Sequence, residues 1–172
     1  VTIHQIQSEA NVDGNSNYVD DFVRTGGRVS AVKAADNFFL QAGEGAYTGI
    51  NVSNAGHGLA VGDSITIVAK VRESFGMTQL FSVVGITNHS NEPLWAAATI
   101  ATGDLGEMYE GVLVTVENAE VISANQYGEL IINDGSGEAM SDDAIYSYVV
   151  PEVGRIIGSL TGVVDYSYSN FK

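Results

Sequence analysis

VGDSITIVAKVRESFGMTQL, residues 61–80, is the stretch that decides the fold. Val61-Gly62-Asp63 reads as a turn, because glycine reaches positive φ without a Cβ clash and aspartate bonds its own backbone. Ile65, Ile67, Ala69 and Val71 then alternate with Thr66, Val68, Lys70 and Arg72. A period of two marks a strand with one buried face and one wet face. Ser74-Phe75-Gly76 turns the chain, and Met77 starts another strand. The stretch predicts the fourth strand of a small Greek-key barrel and the start of the fifth, with Lys70 and Arg72 on the wet face.

On either side the pattern continues. Residues 22–33 read as a strand broken at Gly26-Gly27, where a bulge or sharp bend is expected. Residues 37–41, NFFLQ, form a short strand ended by Gly43-Glu44-Gly45, and residues 48–52, TGINV, form a third. Residues 80–87, LFSVVGIT, complete the fifth. Residues 1–6 are expected to be a lead-in strand or extended arm, and residues 11–21 are polar and turn-rich. Five short strands at this spacing predict a five-stranded Greek-key barrel of the OB-like kind.

The second half repeats the first at a shift of 92 residues, which places Val29 on Val121, Gly43 on Gly135, Gly45 on Gly137, Gly62 on Gly154 and Val71 on Val163. The matches fall on turn glycines and inward strand positions, where a shared backbone constrains residue type. The chain is therefore expected to be all-β, with two tandem barrels. Residues 1–90 make the first barrel with its arm. Residues 91–103, with Pro93 and Trp95, make a connector with room for one helical turn. Residues 104–172 make the second barrel, with strands expected at 111–122, 130–133, 156–164 and 165–171. Its last strand looks shortened, so residues are expected beyond 172. One larger β-sandwich is the alternative.

Composition supports this class. Hydrophobic residues make up 45 % of the 172, and glycine is abundant at 20 against 2 prolines. A core and many tight turns follow. The net charge is −14, which argues against wrapping duplex nucleic acid or docking on anionic lipid. Cysteine is absent, which excludes disulfides, thiolate metal sites and a cysteine nucleophile. No apolar run reaches the roughly 18 residues of a membrane span. Val1 is not an initiator methionine, so a mature or excised piece is expected.

The segments 37–41, 49–52, 61–63 and 71–80 (NFFLQ, GINV, VGD and VRESFGMTQL) resemble the OB-like accessory domain of bacterial extracellular nucleases. Residues 109–112, 116–119, 133–137, 142–143 and 162–168 resemble a related module of secreted Bacteroidetes-type multidomain proteins. The nuclease family's catalytic domain is absent from these residues. The resemblance implies a secreted or cell-surface, bacterial, accessory role beside other domains of the same protein.

OB-like barrels bind single strands on the face of strands 2 and 3, with aromatics stacking on bases and cations meeting phosphates. Phe39 and Gln41 share one face of the second strand, opposite Phe38 and Leu40, and Lys33, Lys70 and Arg72 are the cations expected nearby. Residues 1–90 hold five basic and eight acidic residues, whereas 91–172 hold two and thirteen, so a polyanion site belongs to the first unit. The expected ligand is single-stranded nucleic acid or another extended polymer, such as a polysaccharide. The alternative is that both phenylalanines pack and the cations serve solubility.

Two oxygen-rich loops are candidate calcium sites, since hard cations take six to eight oxygens. Asp13, Asn15 and Asn17 alternate in one, and Asp134, Glu138, Asp142 and Asp143 lie in the other. Turns of the Asx type explain the same residues without an ion. A second expectation for the whole chain is therefore an acidic structural or cell-surface interaction module stabilised by calcium. No enzyme is expected. His4, His57 and His89 are scattered, Ser136 lacks a GxSxG frame, and adjacent Asp142 and Asp143 point apart in an extended segment.

Overall fold

The computed structural model describes residues 1–12 and 14–172, and the chain is all-β apart from short helical turns. The first unit holds β1 (Phe22–Lys33), β2 (Asn37–Gln41), β3 (Gly49–Ser53), β4 (Asp63–Ser74) and β5 (Met77–Asn91). The strands pair in the order β1-β2-β3-β5-β4, and β4 returns to β1, so the sheet closes on itself. Within this ring β3 and β5 pair parallel and the other neighbours antiparallel. Along β4, buried Ile65, Ile67, Ala69 and Val71 alternate with half-buried neighbours, as their spacing predicts. With Phe38, Leu40, Ile50, Val52 and Leu80 they fill the first core.

β1 is continuous through Gly26-Gly27, contrary to the expected break. Residues 22–28 of β1 pair with β4, and residues 28–33 pair with β2, so the glycines sit at the handover. A Cβ on Gly26 would lie 2.5 Å from the Ile65 carbonyl oxygen, and one on Gly27 2.5 Å from that of Gln41. The tight curvature of a five-stranded ring brings the neighbouring backbones this close. The register irregularity falls later, between Val29 and Ala31.

The expected N-terminal arm is instead α1 (Ile3–Ser8). The Thr2 hydroxyl accepts the Gln5 N–H at 3.1 Å, and the Gln5 side-chain oxygen accepts the Thr2 N–H at 3.0 Å. This capping box satisfies two otherwise unpaired donors. Ile3 and Ile6, one turn apart, are fully buried in the first core. Among the described residues, no helix is long and apolar enough to cross a membrane.

The second unit holds β6 (Ala98–Thr99), β7 (Leu113–Ala124), β8 (Leu130–Asn133), β9 (Glu138–Ser141) and β10 (Ile156–Val163). It also holds a hairpin of β11 (Tyr166–Ser167) and β12 (Asn170–Phe171). The main sheet runs β10-β7-β8-β9, with β6 parallel to β7. Its core gathers Val112, Val114, Val116, Val121, Leu130 and Ile132. The segment expected as one final strand, residues 165–171, turns back at Tyr168 and Ser169, whose φ values are 52° and 64°. Where the connector 91–103 was expected to hold one helical turn, the chain places strand β6 and then two 3-10 turns, Thr102–Asp104 and Glu107–Tyr109.

The strand registers of the two units repeat at the shift read from the sequence. Val29 pairs with Leu40 in β1–β2, and Val121 pairs with Ile132 in β7–β8. The irregularity between Val29 and Ala31 recurs between Val121 and Ser123. Phe22 pairs with Lys70, and Val114 pairs with Gly162. The Gly62 N–H donates to the Val29 carbonyl at 2.9 Å, and the Gly154 N–H donates to that of Val121 at 2.8 Å. The second sheet nevertheless stays open at β9 and β10 rather than forming the expected second barrel. In the first unit, β5 closes the ring by pairing with both β3 and β4. Its counterpart, Asn170–Phe171, pairs only with Tyr166–Ser167.

The two units pack against each other. The Leu113 N–H donates to the Gln41 side-chain oxygen at 3.0 Å, and the Tyr47 N–H donates to the Met108 carbonyl at 2.7 Å. Gly49 meets Gly111 backbone to backbone, so closely that a Cβ on either residue would collide with the other segment. The connector is pinned to the first barrel. The Arg28 guanidinium lies 4.0 Å over the Trp95 ring and donates to the Pro93 carbonyl at 2.8 Å.

Candidate functional site

The face expected to bind ligand is covered. Phe38 and Leu40 point into the barrel, so alternation puts Phe39 and Gln41 outside it. Both are buried there, at 0 % and 1 % exposure, and Gln41 bonds the second unit through the Leu113 N–H. Lys33 is half-buried and ion-paired with Asp165 at 2.5 Å. Phe39, Gln41 and Lys33 therefore belong to a junction between units and do not form an open ligand face. The side chains were placed on the correct side of the strand. What the periodicity of one strand does not carry is the identity of the body packed against it.

Lys70 and Arg72 lie around the barrel, on the outer face of β1, β4 and β5. Residues opposite one another on paired strands share a face. Phe22 of β1 lies opposite Lys70 of β4, which lies opposite Phe81 of β5. One rung away Arg72 lies opposite Gln79, and on the other side Arg24 lies opposite Val68. The face thus carries Phe22, Arg24, Lys70, Arg72 and Phe81. Phe22 is 58 % exposed, and Arg24 is also exposed.

Arg72 is held in place. Its guanidinium lies 4.7 Å over the Phe81 ring and donates from Nε and Nη2 to the Gln79 side-chain oxygen at 3.1 and 2.9 Å. The Gln79 amide donates onward to Asn51 at 3.1 Å, in the buried junction. Lys70 reaches Asp20 at 2.8 Å, an exposed pair that contributes little and leaves the ammonium close to solvent. Three of the seven cations of the chain share this face. Among the others, Arg28, Lys33 and Lys172 are engaged with Trp95, with Asp165, and with Glu129 and Asp142 respectively.

Reading the sequence singled out Lys70 and Arg72 but missed Phe22, Arg24 and Phe81. One signal was present. Phe75 and Gly76, with φ of 55° and 89°, form a two-residue hairpin turn between paired Ser74 and Met77. Counting back from that turn places Lys70 opposite Phe81.

The candidate metal ligands are accounted for differently. Asp13 lies outside the described residues. Asn15 and Asn17 sit in a turn where their N–H groups donate to Asn11 Oδ1 and the Glu9 carbonyl, at 3.2 and 2.8 Å. Asp134 Oδ2 accepts from the Thr102 N–H at 3.0 Å. Its Oδ1 accepts from the Thr102 hydroxyl at 2.7 Å and from the Ser136 hydroxyl and N–H at 2.5 and 2.9 Å. The bonds from Ser136 and then Thr102 hold the Asp134 carboxyl well below the usual carboxylate range. Asp142 pairs with Lys172 at 2.7 Å and accepts the Ala144 N–H at 3.1 Å. The Asp143 carboxylate lies over Gly128. Among the described residues, no group of three or more His, Asp or Glu side chains is placed to share a metal ion.

Glu110, although it lies in the 109–112 motif, was not singled out as a site residue by its sequence. Its residue is 1 % exposed. Oε1 accepts the Thr78 N–H at 3.2 Å and the Gln7 amide at 3.3 Å, while Oε2 has no partner among the described residues. Burial first, and then the neighbouring Glu107, push its pKa up to about 8. Burial and Glu73 also raise Glu107. A neutral Glu110 carboxyl therefore stands at neutral pH where α1, β5 and the second unit meet. In its surroundings, Met108-Tyr109-Glu110-Gly111, a glutamate looks like an ordinary solvated residue.

Comparison with protein-family models, curated proteins and solved structures finds no match to the chain.

Proposed function

We propose that the chain is a non-catalytic accessory module of a secreted protein, built on OB-like units, whose β1–β4–β5 outer face binds single-stranded nucleic acid. The observation that carries this reading is the row Phe22–Lys70–Phe81, flanked by Arg24 and Arg72. Aromatic faces stack on bases without regard to sequence, and cations between them meet the phosphates that join those bases. The strand order β1-β2-β3-β5-β4 supports the OB-like reading of the first unit. The repeated registers support a related second unit that has moved onto the usual binding face. The secreted setting rests on the resemblance of residues 37–41, 61–63 and 71–80 to nuclease-associated domains.

Binding on this face must overcome the repulsion of a chain with net charge −14, so affinity is weak and sensitive to salt. Titration of a short labelled single strand tests the reading. With three phosphate contacts, log K falls against log salt with a slope of about −2. A slope near zero, or no binding at about 50 mM salt, overturns it.

A further inference from the structure

Arg72 differs from the lysines in what holds it. Lys33, Lys70 and Lys172 each meet a carboxylate, so their charge is compensated within the chain. Arg72 joins no ion pair among the described residues. Its acceptor is the neutral side-chain oxygen of Gln79, which takes Nε at 3.1 Å and Nη2 at 2.9 Å. The Phe81 ring, 4.7 Å from the guanidinium, adds a cation–π attraction. The group is thus immobilised without being neutralised.

Gln79 is itself held. One row of paired residues runs Phe39–Asn51–Gln79–Arg72 across the outside of the barrel, from β2 through β3 and β5 to β4. The first three are buried and Arg72 is half-buried, so the row starts under cover and ends at the open face. The Gln79 amide nitrogen donates to Asn51 Oδ1 at 3.1 Å. A side-chain amide has its donors on one side and its acceptor on the other, so this bond turns Oε1 towards Arg72.

The part of Arg72 left over has a defined shape. A guanidinium carries five N–H donors in a planar fork. Gln79 takes the side edge, Nε with one hydrogen of Nη2. The end edge, between Nη1 and Nη2, keeps two parallel donors with no partner among the described residues. Parallel donors match two oxygens of one phosphate, a geometry that a lysine ammonium does not reproduce.

We propose that Gln79 is a positioning residue, which holds the end edge of Arg72 as a fixed bidentate fork for one phosphodiester of the bound strand. This rests on the nucleic-acid reading of the β1–β4–β5 face and adds to it one stated contact, to the two non-bridging oxygens of a phosphate. Asn51 acts one step further back, by fixing the Gln79 amide. Lys70 on the same face offers only a point charge.

The test titrates a labelled single-stranded oligonucleotide at about 50 mM salt into wild type, Arg72→Lys, Gln79→Met and the double variant. Arg72→Lys keeps the charge and loses the fork. It should bind about tenfold more weakly, because one of two charge-assisted hydrogen bonds is gone. Gln79→Met keeps the size of the side chain and removes the acceptor, so it should also weaken binding. Added to Arg72→Lys it should change nothing further, since a positioning residue acts only through the group that it positions. A second measurement needs no ligand. The Arg72 Nε–H resonance of the isotope-labelled chain, identified by its loss in Arg72→Lys, should be protected from solvent exchange in wild type and lose that protection in Gln79→Met. Equal affinity of Arg72→Lys and wild type makes Arg72 a point charge and overturns the proposal. So do additive losses in the double variant, or an Nε–H resonance that Gln79→Met leaves unchanged. Should Gln79→Met fail to fold, Arg72→Lys decides alone. If wild type binds no strand, the reading of the face falls and this proposal with it, whereas each of the other failures leaves that reading standing.

Discussion

The side-chain oxygen of Gln41, a residue only 1 % exposed, accepts the backbone N–H of Leu113 at 3.0 Å. Through this bond, a residue expected to touch ligand instead fastens the second unit to the outside of the first. The Gln41 amide also donates to the Gly43 carbonyl at 2.8 Å, which fixes its rotamer. Gln41→Ala leaves the part-buried Leu113 N–H unpaired and should destabilise the chain by about 1 kcal/mol or more. Chemical denaturation measures this, and an unchanged midpoint would show that the junction is wet.

Glu110 gives the chain a particular pH dependence. Its folded pKa of about 8 stands above the ordinary 4.5. Between those values the folded state holds a proton that the unfolded state releases. Stability is therefore fully present below about pH 4.5 and is lost as pH rises to about 8. Glu110→Gln keeps the shape and removes the titration. It should raise the unfolding free energy at pH 8 by an amount on the order of a few kcal/mol and change it little at pH 4.5. A variant less stable than wild type at both values would mean that the carboxylate is stabilised where it sits.

Asp134 works with the opposite sign. Hydrogen bonds from Ser136 and Thr102 depress its pKa, so its contribution is present above about pH 3.8 and is lost as pH falls below it. Asp134→Ala should lower the thermal midpoint at pH 7 and blunt the acid limb of a pH titration, with chelator present throughout. Equal acid limbs in the two proteins would remove Asp134 from that account.

Gly49 and Gly111 approach with no room for a methyl group. Gly49→Ala forces the two backbones apart and should destabilise by about 1–3 kcal/mol or more. Gly158→Ala is the control, since no atom lies within 4 Å of a Cβ there. Equal midpoints for the two variants would show that the units are not packed as described.

Much of the architecture was legible because it rests on local pattern. The alternation from Ile65 to Val71, the short strand Asn37–Gln41 and the matching turn glycines all carry backbone demands in single residues. α1 was not, because its six residues are too short to show a helical period, although Thr2 and Gln5 hold the spacing of a capping box. The open second sheet was not, because repeat matching compares residues and not the partners of edge strands. The binding face was only half legible. Lys70 and Arg72 were found by alternation, whereas Phe22 and Phe81 join them only through strand registers. Phe39 was lost to burial on the outside of the barrel, which is a fact of tertiary packing.

The most direct test of the account is fluorescence anisotropy of a labelled single-stranded oligonucleotide at about 50 mM salt, where phosphate contacts count most. Wild type is compared with the double variant Phe22→Ala/Arg72→Ala and with Arg155→Ala, a control at an exposed cation outside the face. The account predicts that the double variant binds about tenfold more weakly or worse, while the control tracks wild type. Equal affinities for all three proteins would contradict it.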